Sequence, residues 1–252
     1  ARGGRRIDTT AMRRAALWFP SVMMACAGAP TAPAAHEHGH GGHGHHHGTS
    51  PAPAHGGQHG FADVERWSAA FDDPARDAWQ RPDEVIRALS LAPDARVADI
   101  GAGTGYFAVR IAPLVPQGRV WAVDLEPALL RHVRTRAESQ RLTNLLPVLG
   151  TPTDAMIPER VDVILMVDTY HHIEGRSGYL RDLTRSLRPG GRVVIVDYTR
   201  EAPEGPPPEM RLSPERVHAE MSAAGYERVG DVTLLPRQYV VTYRPRAAPS
   251  RP

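Results

Sequence analysis

The run Asp168-Thr169-Tyr170-His171-His172 gathers a carboxylate, a phenol and two imidazoles in neighbouring positions. Imidazole moves protons near neutral pH and a carboxylate can orient it, so the set reads as a base and its orienter. Adjacent side chains diverge, which leaves one histidine for the task, and His171 is the preferred candidate over His172. A structural assignment stands beside this one: a histidine that caps the following helix, Tyr170 as a pocket wall, and Asp168 touching a bound ligand. A second stretch, Asp99-Ile100-Gly101-Ala102-Gly103-Thr104-Gly105, follows apolar Val97-Ala98 and leads into Tyr106-Phe107-Ala108-Val109. That order is a buried strand, a glycine turn and a helix. Glycines there accept positive φ and admit a ligand close to the backbone, and the helix start offers unpaired N–H groups.

Alternating strands and helices must position both stretches. Strands are expected at 96–100, 119–124, 145–149, 161–167 and 192–198, with helices at 106–114, 127–141 and 177–188 between them. Leu130, Val133 and Ala137 form one apolar helical stripe, and Leu180, Leu183 and Leu187 another. Near-continuous apolar strands such as Val163-Ile164-Leu165-Met166-Val167 imply burial on both faces, hence a parallel sheet between two helical layers. A last helix at 214–224, capped by Ser213, precedes strands at 226–234 and 238–244, whose short turn makes them an antiparallel edge pair. Upstream, two short helical pieces in 61–79 and a helix opened by Pro82 are expected over the mouth of the ligand site. His132 and His218 fall inside helices and read as surface residues.

The glycine spacing separates two ligand classes. In the dinucleotide fingerprint G-x-G-x-x-G the third glycine allows close helix packing; here bulky Tyr106 occupies that position. The pattern Asp99-x-Gly101-x-Gly103-x-Gly105 instead resembles motif I of the class I S-adenosylmethionine-dependent methyltransferases, in particular their small-molecule, type 11-like members. Further matches follow in order: Asp124 at the end of the second strand, Thr153-Asp154-Ala155 after the third, and Leu187-Arg188-Pro189-Gly190-Gly191 before the fifth. The resemblance covers about residues 80–245. It implies a Rossmann-like α/β fold with a mostly parallel, seven-stranded sheet ending in an antiparallel edge hairpin, and S-adenosyl-L-methionine as cofactor. It further implies cofactor contacts from Asp99, Gly101, Ala102, Gly103, Thr104, Gly105 and Tyr106, from Asp124 to the ribose hydroxyls and Leu125 beside it, from Thr153 and Asp154 near the adenine, and from Asp168. Methyl transfer is an in-line displacement that needs alignment, exclusion of water and, for some acceptors, a base; Tyr170, His171 and His172 are its catalytic candidates. The chain lacks the Asn-Pro-Pro-Tyr signature of many DNA and amide N-methyltransferases, and its single cysteine argues against arsenite as acceptor. A small molecule is the expected substrate. After the fifth strand, Glu204 to Leu212 carries three consecutive prolines; Glu209 and Arg211 either face a substrate from this loop or belong to a rigid crossover.

Composition bounds the rest. Lysine is absent, all 30 basic residues are arginine, and 28 acids leave a net charge of +2. Scattered charge of this kind gives no nucleic-acid footprint. Met12-Arg13-Arg14 and the apolar run ending at Ala25-Cys26 read as an export signal with a lipoprotein-like box, so residues 1–26 are expected to direct export and lipid anchoring at Cys26; a cytoplasmic protein with a misassigned start is the alternative. Residues 27–60 hold nine of the 13 histidines, including His36, His38, His40, His43, His45, His46 and His47, among Gly, Pro and Ala. Such a linker cannot bury a core. It is expected to bind Zn²⁺, Ni²⁺ or Cu²⁺ adventitiously, with a metal-buffering lipoprotein as the competing function. The globular domain is expected at 61–246 and a disordered tail at 247–252.

Overall fold

The computed structural model describes residues 64–203, 205–232 and 235–247. The export-like segment, Cys26 and the histidine-rich tract lie outside the described residues. Three short helices, α1 (Val64–Phe71), α2 (Ala75–Gln80) and α3 (Pro82–Ala88), precede β1 (Arg96–Ile100). Then come α4 (Ala108–Ile111), β2 (Arg119–Asp124), α5 (Pro127–Ser139), β3 (Leu145–Leu149), β4 (Val161–Val167), α6 (Arg176–Leu183), β5 (Leu187–Tyr198), α7 (Pro214–Ala223), β6 (Tyr226–Val232) and β7 (Gln238–Pro245).

The strands form one seven-stranded sheet in the order β3-β2-β1-β4-β5-β7-β6. Five run parallel, and β7 pairs antiparallel with both β5 and β6. This is the Rossmann-like sheet expected, with its reversal point between β1 and β4. Alternation along the strands feeds two cores. Val97, Val120, Val163, Leu165, Val194 and Val196 face α3, α4 and α5. Ala98, Ile100, Ile164, Met166, Val193 and Ile195 face α6 and α7. Each fully buried Val, Leu or Ile contributes about 1.5–3 kcal/mol of burial, which fixes strand register, because a one-residue slip would exchange the two faces.

Three expected boundaries move. The helix at 106–114 becomes α4 plus a 3-10 turn at Ala112–Leu114, where Pro113 tightens the winding; Tyr106 and Phe107 belong to the preceding turn. The helix at 177–188 ends at Leu183 and a 3-10 turn, because Pro189 disfavours helical geometry at Arg188. Leu187 is therefore already extended and pairs with Val161, while Val163 pairs with Arg192, leaving a bulge between them. Ser213 caps α7 as expected, accepting from the Arg216 N–H at 3.3 Å. His218 is not a surface residue: its ring stacks on Tyr243, with centroids 6.1 Å apart. Among the described residues, no helix is long and apolar enough to cross a membrane.

Candidate active site

The turn after β1 is wrapped around the end of β2. The Gly101 and Ala102 N–H groups both donate to the Val123 carbonyl, at 2.8 and 3.0 Å. Gly101 has φ +72°, and a Cβ there would stand 2.1 Å from Thr169 Oγ1, so only glycine lets the ends of β1 and β4 meet. Gly103, at φ +56°, donates its N–H to Asp124 Oδ2 at 2.8 Å, and the other Asp124 oxygen accepts from the Glu126 N–H at 3.0 Å. The acid at the end of β2 is thus held across the glycine turn with both oxygens aligned by backbone donors. Burial raises its pKa, against the pull of those donors. Asp99, 3% exposed, is pushed up to about 7, chiefly by burial and then by the Asp124 charge.

Exposed apolar side chains mark the ends of β2 and β3 and the loop beyond. Leu125, Leu149 and Met156 are 55%, 55% and 52% exposed. Leu149 is the register partner of Asp124, and the Met156 N–H donates to Asp154 Oδ1 at 2.8 Å. Thr153 and Asp154 are exposed in the loop closed by the Thr151–Asp154 bridge. They line a cavity of about 490 Å³ that extends to Tyr179 and Leu183 of α6. Glycine turn, Asp124, Leu125, Thr153 and Asp154 therefore gather at the carboxyl ends of β1, β2 and β3.

Across the sheet, the three catalytic candidates separate. His171 is held by Asp197 near the end of β5: Nδ1 lies 2.8 Å from Oδ1 and 3.0 Å from Oδ2, and the His171 N–H also donates to Oδ2 at 3.3 Å. Both side chains are buried, at 2% and 1% exposure. The carboxylate only accepts, so Nδ1 carries the hydrogen and Nε2 keeps its lone pair. His172 is exposed, its ring 4.1 Å from that of His171. Tyr170 points away, into the core under α7, where its hydroxyl donates to Glu220 Oε2 at 2.9 Å beside the Arg176 Nε at 2.7 Å. Neither the pocket-wall nor the catalytic placement of Tyr170 agrees with that direction.

Asp168 stands between the dyad and the N-terminal helices, in the left-handed region at φ +54°. Its carboxylate accepts from Gln80 Nε2 at 3.1 Å, from Gln238 Nε2 and from Arg76 at 3.5 Å. Burial pushes it up to about 6; Arg76 and His171 oppose this, and Asp197 adds to it. α1 and α2 sit on the glycine turn, whereas the helix opened by Pro82, α3, buries Val85 and Ile86 in the core. Asp72 accepts from Thr104 Oγ1 at 3.1 Å and Arg136 at 2.8 Å, Asp77 pairs with Arg110 and Tyr106, and the Phe71 ring lies 3.3 Å from where a Gly103 Cβ would stand. Arg211 faces no substrate: it binds the carbonyls of Arg200, Ala202 and Pro206 at 3.1, 2.5 and 2.7 Å and so staples its own loop. Glu209 is exposed on the 3-10 turn Pro208–Met210.

Asp197, Gln80, Gln238 and Arg76 are the site residues that sequence reasoning missed. Asp197 alone left a signal, an acid closing the apolar run Val193-Val194-Ile195-Val196 at a strand's carboxyl end. Among the described residues, no cluster of three or more His, Cys, Asp or Glu side chains is arranged to hold a metal.

Residues 98–193 match the family described as "Methyltransferase domain". The chain is 31% identical over 122 residues to a demethylmenaquinone methyltransferase of Tropheryma whipplei, covering 48% of each protein. It is also 31% identical over 165 residues to an uncharacterized methyltransferase of Mycobacterium tuberculosis, covering 65% of this chain and 61% of that one. It thus spans 48% and 61% of the length of these two curated relatives. Among solved structures, a SAM-dependent methyltransferase from Aquifex aeolicus superimposes with a TM-score of 0.66 at 25% identity, covering 72% of this chain and 97% of that one.

Proposed function

We propose that this chain, whose residues 98–193 match the family described as "Methyltransferase domain", is a class I S-adenosylmethionine-dependent methyltransferase that transfers a methyl group from S-adenosylmethionine to a small-molecule acceptor. The observation that carries the reading is the Asp124 carboxylate held at 2.8 Å from the Gly103 N–H across the glycine turn. The residues present fit the cofactor. Asp124 retains lone pairs for two ribose hydroxyls. Leu125 and Leu149, more than half exposed beside it, supply the apolar surface that a purine would cover. Thr153 and Asp154 stand ready for its polar edge. When bound, S-adenosylmethionine supplies an electrophilic methyl carbon on a sulfonium sulfur. The chain itself does the rest: Asp124 and the glycine turn fix position, α1 and α2 keep water from the turn, and His171 Nε2, oriented through Nδ1 by Asp197, takes the acceptor's proton. Thr169 spaces β4 from β1 by filling the gap above Gly101.

Incubating the purified full chain with methyl-labelled S-adenosylmethionine and a small-molecule extract of its host tests the reading. Label entering a small molecule, and lost with Asp124→Ala, is the expected result. Label found only in protein or nucleic acid overturns the small-molecule assignment. Export and lipidation at Cys26 belong to the same proposal, and the intact mass of protein from the native host reads them directly.

A further inference from the structure

The geometry points to a second ligand site, for a primary amine on an apolar body, between the β3–β4 connection and α6. Its origin lies in the chain. Parallel strands are usually joined through a helix, but residues 150–160, between β3 and β4, hold none. On that face the connection and α6 stand apart. The gap between them is the cavity of about 490 Å³ that Thr153 and Asp154 line, within the size range of small-molecule sites. It begins at Thr153, just past the carboxyl end of β3, and runs along α6 to Ser186. Ser186 precedes Leu187, the first residue of β5, which pairs with Val161 at the start of β4. The cavity thus extends toward the end of the sheet opposite the glycine turn, away from the surface proposed for the cofactor.

The lining selects a cation. Of the charged side chains at the cavity, Asp182 and Arg185 pair with each other, while Asp154 has no ion pair among the described residues. One Asp154 oxygen accepts the Met156 N–H at 2.8 Å. The carboxylate keeps lone pairs both for a purine's polar edge and for a ligand in the cavity. Tyr179 supplies the second anchor. It is 7% exposed and lines the cavity, yet its hydroxyl has no hydrogen-bond partner among the described residues. A hydroxyl so nearly buried is costly unless a ligand or water completes it. Burial and the nearby Asp154 charge push its pKa up, so it stays neutral. A neutral hydroxyl and a carboxylate offer an ammonium two acceptors, whereas an anion would be repelled by Asp154. Met156, Ile157 and Leu183 form the apolar wall. Met156, 52% exposed, adapts its thioether chain to the body that the amine carries.

Amide chemical-shift titrations of the full chain with phenethylamine, 2-phenylethanol and phenylacetate, without cofactor, test this. The amine should bind at least about tenfold tighter than the alcohol or the acid, and should shift the amides of 153–157 and 179–186. Asp154→Asn keeps an oxygen for the Met156 N–H and should erase the amine's advantage over the alcohol. Tyr179→Phe keeps the ring and removes only the hydroxyl. It should weaken the amine about threefold to tenfold with the thermal midpoint unchanged, which separates lost recognition from lost folding. Equal affinity for amine and alcohol, amine binding that either substitution leaves intact, or shifts confined to the glycine turn and Asp124 overturns the assignment. So does the absence of saturable amine binding below about 10 mM.

Discussion

Gly101→Ala isolates the contact on which the site's geometry turns. Alanine at φ +72° costs about 1–2 kcal/mol in backbone strain. Its Cβ would also stand 2.1, 2.5 and 2.9 Å from Oγ1, Cγ2 and Cβ of Thr169, and overpacking of this kind costs about 1–3 kcal/mol. Thr169 cannot rotate away without cost, because its hydroxyl donates to the Val167 carbonyl at 2.8 Å. The variant should therefore lose about 2–5 kcal/mol of unfolding free energy in urea titrations. Thr169→Gly in the same chain removes all three clashing atoms but not the strain, so the double variant should recover about 1–3 kcal/mol relative to Gly101→Ala alone. A Gly101→Ala protein within about 0.5 kcal/mol of wild type, or no recovery with Thr169→Gly, would show that β1 and β4 do not meet in this way.

Three further outcomes follow from the same geometry. On the proposed reading Asp124→Ala would remove two charge-assisted hydrogen bonds to ribose and should weaken S-adenosylhomocysteine by about 3 kcal/mol, roughly a hundredfold by calorimetry, with Asp124→Asn between; a change under threefold refutes the assignment. Asp99 keeps its proton up to about 7 when folded but loses it near 3.8 when unfolded, so its burial is free below the lower value and costs stability progressively as pH rises to the upper one. Asp99→Asn should abolish that component, so that its stability relative to wild type improves by a few kcal/mol between pH 4 and 8 in urea titrations; an unchanged difference contradicts a buried neutral Asp99. Arg211→Met leaves three loop carbonyls without their donor and should cost about 2 kcal/mol of stability with S-adenosylhomocysteine affinity unchanged, whereas weaker ligand binding at full stability would place Arg211 in the site.

What was legible in the sequence was local. β1 to β4 fall where their apolar runs stand, and Asp99, the glycines and Asp124 are close in the chain as well as in space, since a strand end and the turn beside it are set by neighbouring residues. β5 was read five residues short, because the bulge between Leu187 and Arg192 interrupts its pattern while pairing continues. Distant pairings left little trace. Asp197 lies 26 residues from His171, and Gln80 lies 88 and 158 residues from Asp168 and Gln238. Nothing in the local pattern of either glutamine marks it as buried. Tyr170 and His171 are adjacent yet reach different partners, Glu220 on α7 and Asp197 near the end of β5, because a 3-10 turn swings successive side chains apart. Arg211 shows the converse: the sequence leaves it open between substrate contact and a rigid crossover, and the loop's own carbonyls take its donors.

The central claim is that the glycine turn and Asp124 hold S-adenosylmethionine. Isothermal calorimetry of the full chain with S-adenosylmethionine tests it most directly. One site with a Kd between about 1 μM and 1 mM is the predicted result. No saturable binding across that range, from a chain that melts cooperatively in the same buffer, would contradict it.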